Sequence, residues 1–268
     1  MKIKEVQCSS CMTKSKLTDY VINPYTGCQH GCIYCYADFM RRFQNIKERW
    51  GEFIFPKINC PELLPKELEK NKPGNILMSS VCDCYTPIES KYKLTRKILE
   101  IFTASEFKDK YTMEILTKSI LVKRDFDLIK QPNIELGMSV NGLDDKFSRV
   151  IEPVASLPKD RIETLRQASK YGIKTFGFIS PVTVFTDLEG VFRELKDAEC
   201  QYVWVEILNI KGSAQSRFST AIKKNFLDKN EAFLNMINNY EDFCQGIEKQ
   251  ARELEKKYQL KIIEVVVH

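Results

Sequence analysis

Three cysteines and a histidine crowd one short stretch, "NPYTGCQHGCIYCYA" (23–37), where Cys28, Cys32 and Cys35 follow one another at spacings of four and three. A [4Fe–4S] cluster takes four thiolates, one for each iron. A loop that offers three leaves one iron without a protein ligand, and that iron can bind a substrate or cofactor directly. Zinc is the rival guest, because structural zinc takes four sulfur or nitrogen ligands, and His30 is one of only two histidines in the chain. His30 lies two residues from both Cys28 and Cys32, a poor reach for closing a tetrahedron. A loop of reduced thiols holding no metal is the third reading.

The chain that carries this loop has 268 residues, 43% of them hydrophobic, enough for one large domain with a sizeable core. Its net charge of +5 comes from 41 basic and 36 acidic residues that are interleaved rather than blocked, which permits a nucleic-acid partner without indicating one. No stretch approaches the roughly 18 apolar residues needed to span a bilayer. The beginning, "MKIKEVQCSSC", lacks the apolar core of a secretion signal. We therefore expect a cytoplasmic protein with no membrane partner. In that compartment thiols stay reduced, and clustered cysteines hold metal more often than they form disulfides. Ten cysteines then need a chemical explanation.

The elements that would position the loop alternate. "DYVIN" (19–23) leads into it, and "NILMSS" (75–80), "TMEILT" (112–117), "IELGMSV" (134–140), "KTFGFIS" (174–180) and "YVWVEIL" (202–208) are further strand candidates. Their nearly continuous apolarity suits strands buried on both faces of a parallel sheet. Between them lie helical patterns: "YKLTRKILEIF" (92–102), "RIETLRQASKYG" (161–172) with a glycine suited to a C-cap, and "DLEGVFRELKDAEC" (187–200), opened by a capping aspartate. Residues 230–258 read as one or two amphipathic helices, and "LKIIEVVV" (260–267) as a possible last strand. The expected fold class is α/β, a partial (β/α)6 TIM-like barrel with a C-terminal helical extension and a possible extra strand. An arm over 1–22, the barrel over 23–211 and the extension over 212–268 divide the chain. Ligand-bearing loops are expected at the carboxyl ends of the strands.

C-x3-C-x2-C behind a first strand, with Tyr34 ahead of the last cysteine, resembles the radical S-adenosylmethionine superfamily. The fuller string more closely resembles its spore photoproduct lyase-like branch. The likeness continues in "YTPIESKYKLTRKILE" (85–100), "ILTKS" (115–119), "RDFDLI" (124–129) and "RVIEPVASLPKDRIETL" (149–165), and so covers most of the chain up to about Lys211. The resemblance implies that Cys28, Cys32 and Cys35 hold three irons of a [4Fe–4S] cluster and that S-adenosylmethionine chelates the fourth. An electron from a reductant such as flavodoxin or ferredoxin would then split the sulfonium, giving methionine and a 5′-deoxyadenosyl radical that abstracts a hydrogen atom from substrate. Cofactors of this kind carry the difficult step while the protein supplies placement. Three residues are expected at the cofactor: Lys118 near the methionyl carboxylate, Ser139 at the methionyl or ribose groups, and Tyr34 covering the adenine. Asn141, Arg149 and Glu152 follow the fourth strand and are expected to order the loop there, with contact to ribose or substrate as the alternative.

Five more thiols depart from that branch. "QCSSCM" supplies Cys8 and Cys11, "INCPELL" supplies Cys60, and "SVCDCYTP" supplies Cys82 and Cys84 where the branch usually reads more like "TDPYQP". One reading is a second iron–sulfur cluster on Cys8 and Cys11 with two of Cys60, Cys82 and Cys84. Another makes Cys82 or Cys84 a hydrogen-atom donor, since a thiol S–H bond is weaker than an alkyl C–H bond, and spore photoproduct lyases use a cysteine so. The third makes them buried small side chains. Cys200 and Cys244 are expected in the core. The function is then radical S-adenosylmethionine catalysis on a small molecule, peptide or nucleic acid. The alternatives are photoproduct repair with a cysteine donor, or a zinc- or cluster-stabilised binding module without catalysis.

Overall fold

Six apolar runs become strands: β1 (Tyr20–Ile22), β2 (Gly74–Met78), β3 (Tyr111–Thr117), β4 (Ile134–Val140), β5 (Lys174–Val182) and β6 (Tyr202–Ile207). The last apolar run adds β7 (Lys261–Val266). The computed structural model describes residues 1–209, 211 and 213–268, with Ser213 in its backbone alone. The boundary expected between 211 and 212 falls outside the described residues. The chain forms two compact units, each assembled from separate stretches: Met1–Gly31, Ala37–Gly137 and Lys170–Lys174 in the first, Cys32–Tyr36, Met138–Ser169 and Thr175–His268 in the second.

In the first unit β2 lies between β1 and β3, parallel to both, with Tyr20 opposite Ile76 and Gly74 opposite Tyr111. Met12–Lys14 closes the β1 edge as an antiparallel strand. Helices α1 (Cys60–Lys70) and α2 (Leu94–Ala104) pack on each other. Leu64, Leu68, Ile98, Leu99 and Phe102 turn inward at helical spacing and are fully buried, as are Met78, Met113 and Ile115 of the strands. Each such aliphatic side chain contributes roughly 1.5–3 kcal/mol by leaving water.

The second unit sets β6 between β5 and β7, again parallel to both. Its helices are α3 (Asp145–Ile151), α4 (Pro158–Tyr171), α5 (Leu188–Asp197), α6 (Ser213–Asn225), α7 (Asn230–Asn238) and α8 (Tyr240–Tyr258). Val140, Leu165, Ile179, Leu195, Val203, Leu254 and Ile262 share one core cluster, and Cys200 joins it as expected. Cys244 is likewise buried. The side chain of Asp187 accepts from Gly190 N at 2.9 Å, the cap read from the sequence. Gly172 follows α4 at φ +88°, a conformation that costs glycine little and other residues more. Among the described residues no helix is long and apolar enough to cross a membrane.

Candidate active site

The cysteine loop begins where β1 ends, and its first half belongs to the first unit. Asn23 fastens the turn after β1 to the turn after β2: its Nδ2 donates to Ser80 Oγ at 2.9 Å and its Oδ1 accepts from Val81 N at 2.9 Å. Gly27 then passes so close to Phe53 that a Cβ would meet the Phe53 carbonyl oxygen at 2.6 Å, and it adopts φ +86°. Gln29 holds the next residues, accepting from Ile88 N at 2.6 Å and donating its own N–H to Thr86 Oγ1 at 3.0 Å. Cys28 and His30 are both buried.

His30 is already engaged. Its Nδ1 lies 3.2 Å from Asp83 Oδ2, and the ring also hydrogen-bonds the Cys28 sulfur. Asp83 sits between Cys82 and Cys84 and is itself held from three sides. Its Oδ1 accepts from Thr117 Oγ1 at 2.7 Å and Tyr85 N at 2.9 Å, and its Oδ2 accepts from Lys118 N at 2.8 Å. Burial works against a charged imidazole, but the Asp83 carboxylate and the Cys28 sulfur outweigh it and raise His30 to about 10. Burial likewise works against the Asp83 carboxylate, yet the imidazolium and the converging donors hold it well below the carboxylate range. The imidazole considered from sequence as a zinc ligand thus serves to support a thiol. In the sequence Asp83 is a single carboxylate between two cysteines, with no spacing that ties it to His30.

The second half of the loop belongs to the second unit. Cys35 N donates to Cys32 O at 3.2 Å, closing a turn, and Ile33 N donates to Ile151 O at 3.0 Å. Arg217 Nε donates to Ile33 O at 2.9 Å. The Tyr34 ring packs into an apolar cluster with Phe147 and Ile151, while its hydroxyl donates to Glu152. Burial first, then the Glu152 carboxylate, pushes the Tyr34 phenol well up, so it stays a donor. Glu152 also pairs with Arg161, both side chains being fully buried. Arg161 Nη1 reaches Ser139 O at 2.9 Å and its Nε reaches Ser156 O at 2.7 Å. A buried arginine at the head of "RIETL" thereby ties the end of β4 to the cysteine turn. Nothing in that helical pattern marked it. Arg149 donates to Pro153 O and Ala155 O, and Asn141 Oδ1 accepts from Ser148 Oγ at 2.6 Å, so Asn141, Arg149 and Glu152 do order this loop. Asn141 Nδ2 is buried with no hydrogen-bond partner in the chain.

The family model of the radical SAM superfamily matches residues 22–202. The chain belongs to the radical S-adenosylmethionine superfamily. This superfamily member is 36% identical over 247 residues to uncharacterized protein MJ0683 of Methanocaldococcus jannaschii, covering 91% of this chain and 89% of the relative. It is 32% identical over 211 residues to uncharacterized protein ORF301 of Acidianus two-tailed virus, covering 72% and 68%. Among solved structures it resembles spore photoproduct lyase complexed with dinucleoside spore photoproduct, at a TM-score of 0.72 and 16% identity over 98% of this chain and 82% of that one. It also resembles Streptococcus suis SuiB bound to S-adenosylmethionine, at 0.51 and 13% over 82% and 47%. The radical SAM fold, a partial (β/α) barrel with parallel strands, is therefore shown, and the protein is an enzyme. Radical SAM membership implies a [4Fe–4S] cluster, S-adenosylmethionine and a reductant.

The residues present fit that pair of groups. The donor set is three soft thiols whose neighbouring histidine is occupied, which suits iron–sulfur ligation. The lone buried amide of Asn141 Nδ2, just past β4, wants an acceptor such as a carboxylate or ribose oxygen. Among the described residues no group of three or more Cys, His, Asp or Glu converges tightly enough for a single metal ion. Ser139 is buried in β4 and Lys118 half-buried just past β3.

The surplus thiols divide into two places. Cys11 and Cys60 are joined as a disulfide at the amino end of α1, their Cα atoms 4.7 Å apart, where reduced thiols were expected. Cys8 stands beside them: its N–H and Sγ both reach Asn59 Oδ1, at 2.8 and 3.5 Å. Glu67 secures the same arm by accepting from Cys11 N and Met12 N. Cys82 and Cys84 lie instead in the turn after β2. Cys82 Sγ reaches Asn23 Oδ1 at 3.5 Å, and burial, reinforced by the nearby Cys28, pushes its thiol up to about 12. Cys84 is completely buried, and that burial, with Asp83 adjacent, pushes its thiol well up.

Proposed function

We propose that the protein holds a [4Fe–4S] cluster on Cys28, Cys32 and Cys35 and uses it with S-adenosylmethionine to abstract a hydrogen atom from an organic substrate. When bound, the two groups supply a carbon-centred radical by one-electron cleavage of the sulfonium. The observation that carries this reading is the engagement of His30 by Asp83 and Cys28, which leaves a three-thiol donor set in a radical SAM chain. Lys118 offers its ammonium to the methionyl carboxylate, Ser139 and Asn141 serve the methionyl or ribose groups, and Tyr34 shields the adenine through the backbone of its turn. A flavodoxin- or ferredoxin-type protein supplies the electron. The test is anaerobic reconstitution, dithionite and S-adenosylmethionine, with 5′-deoxyadenosine as the product read. A colourless zinc protein, or a cluster indifferent to S-adenosylmethionine, would make the chain a binding module instead.

Cys82 is the better hydrogen-atom donor of the two thiols after β2. It is protonated and half-buried, whereas Cys84 is sealed. The dinucleoside spore photoproduct held by the lyase that this fold resembles is the substrate to assay first. A Cys82→Ser variant that still forms 5′-deoxyadenosine but releases unrepaired radical products would support the donor role. Unaltered products would end it.

A second iron–sulfur site belongs to the reduced form of the arm. Opening the Cys11–Cys60 bond would give three thiols, with Cys8, around the amino end of α1. About four irons per chain after reconstitution under reductant means one cluster, and about eight means two.

A further inference from the structure

Helix α6 presents one-signed charge beside the cysteine turn. The twenty residues 208–227 carry Lys211, Arg217, Lys223 and Lys224 and no carboxylate. Lys211, Lys223 and Lys224 are exposed. An open groove of about 530 Å³ runs along this helix, with Ile33, Val150 and Ala221 forming its apolar part and Arg217, Lys224 and Asn225 its polar part. Ile33 is the residue between Cys32 and Tyr34, and its carbonyl accepts from Arg217 Nε at 2.9 Å. The basic face is therefore one hydrogen bond away from the backbone that joins two of the candidate iron ligands.

We infer that this face is the docking site of an acidic one-electron carrier protein, an assignment that rests on the cluster reading above. A small apolar centre with a charged rim is the form of transient electron-transfer interfaces, which bury little area. Unbroken positive charge steers a carboxylate-rich partner to the surface and raises its on-rate, an effect that salt removes. The step that follows is balanced by one electron. The carrier is oxidised by one unit and the cluster reduced by one unit, with no atom transferred. A basic face placed anywhere else on the chain would attract the same partner without bringing it to the ligand turn.

The experiment uses the reconstituted protein, a purified flavodoxin as carrier, and the double variant Lys223→Glu/Lys224→Glu. Two readouts are taken. The first is flavodoxin affinity by titration, which needs no turnover. The second is the rate of cluster reduction by flavodoxin divided by the rate with dithionite in the same preparation. Affinity for the unaltered chain should weaken by about tenfold or more between about 0.05 M and 0.5 M salt. The double variant should lose about tenfold or more in both affinity and rate ratio. An affinity indifferent to salt, or a rate ratio unchanged by the variant, overturns the assignment. So does a single-stranded oligonucleotide that binds this face, and is lost in the variant, while flavodoxin fails to bind. Failure of dithionite to reduce any cluster would count against the cysteine-loop reading instead, and the titration would still decide the docking face.

Discussion

Replacing Asp83 with asparagine removes a negative charge from a place that water does not reach, and the dependence of its cost on pH identifies the source. Burial opposes the His30 imidazolium, and Asp83 and Cys28 overcome it, moving the pKa from 6.5 to about 10. A folded pKa above the unfolded one contributes stability that is complete below the unfolded value and lost as pH rises through the folded one. At about 1.36 kcal/mol per pKa unit, roughly 4–5 kcal/mol is present at pH 6 and about 1 kcal/mol at pH 9. Asp83 has the opposite sign, since its depressed pKa gives stability that is lost only in strong acid, so its contribution is constant across that window. In Asp83→Asn the amide turns an N–H2 group toward donors that now face Oδ1 and Oδ2, a pH-independent cost of about 1–3 kcal/mol. His30 then sheds its proton rather than stay charged in the interior. Urea unfolding of metal-free protein should therefore show a loss at pH 6 that exceeds the loss at pH 9 by about 3–4 kcal/mol. Equal losses at the two pH values would refute the charge argument and leave Asp83 a neutral hydrogen-bond bracket.

Three further outcomes are expected. Arg161→Met strands the buried Glu152 carboxylate and should cost about 3–5 kcal/mol in thermal or denaturant unfolding, since one partner of a fully buried pair is removed; a cost under about 1 kcal/mol would mean that the pair is hydrated in solution. Gly27→Ala drives a methyl into the Phe53 carbonyl at a left-handed φ, so it should lower retained iron after reconstitution and cost about 1–3 kcal/mol. Asp187→Ala removes the cap of α5 and should cost about 1 kcal/mol while leaving iron content unchanged, which separates general destabilisation from damage to the loop.

The parallel strands were legible because strands buried on both faces leave near-continuous apolar runs, and β4 over Ile134–Val140 matches its run residue for residue. Helix α1 is hard to read from sequence because its stretch contains Pro61 and Pro65; Pro61 sits in the first turn, where no amide partner is needed, and the helix carries Pro65 further in. The cysteine loop declared its thiols by spacing but not their support, because support is contributed by residues remote in sequence. Asp83 reaches His30 across 53 positions, and Arg217 reaches Ile33 across 184. Neither residue type is unusual, and each becomes informative only once a parallel strand returns the chain to the same end of the sheet. The disulfide shows the same asymmetry. Cys11 announces itself as half of a C-x2-C pair with Cys8, yet the structure bonds it to Cys60, since Asn59 and Glu67 of the α1 segment hold the arm by its backbone and bring the sulfur of Cys60 to it. Spacing therefore nominates ligands, and the backbone hydrogen bonds of their neighbours decide which sulfur each one meets.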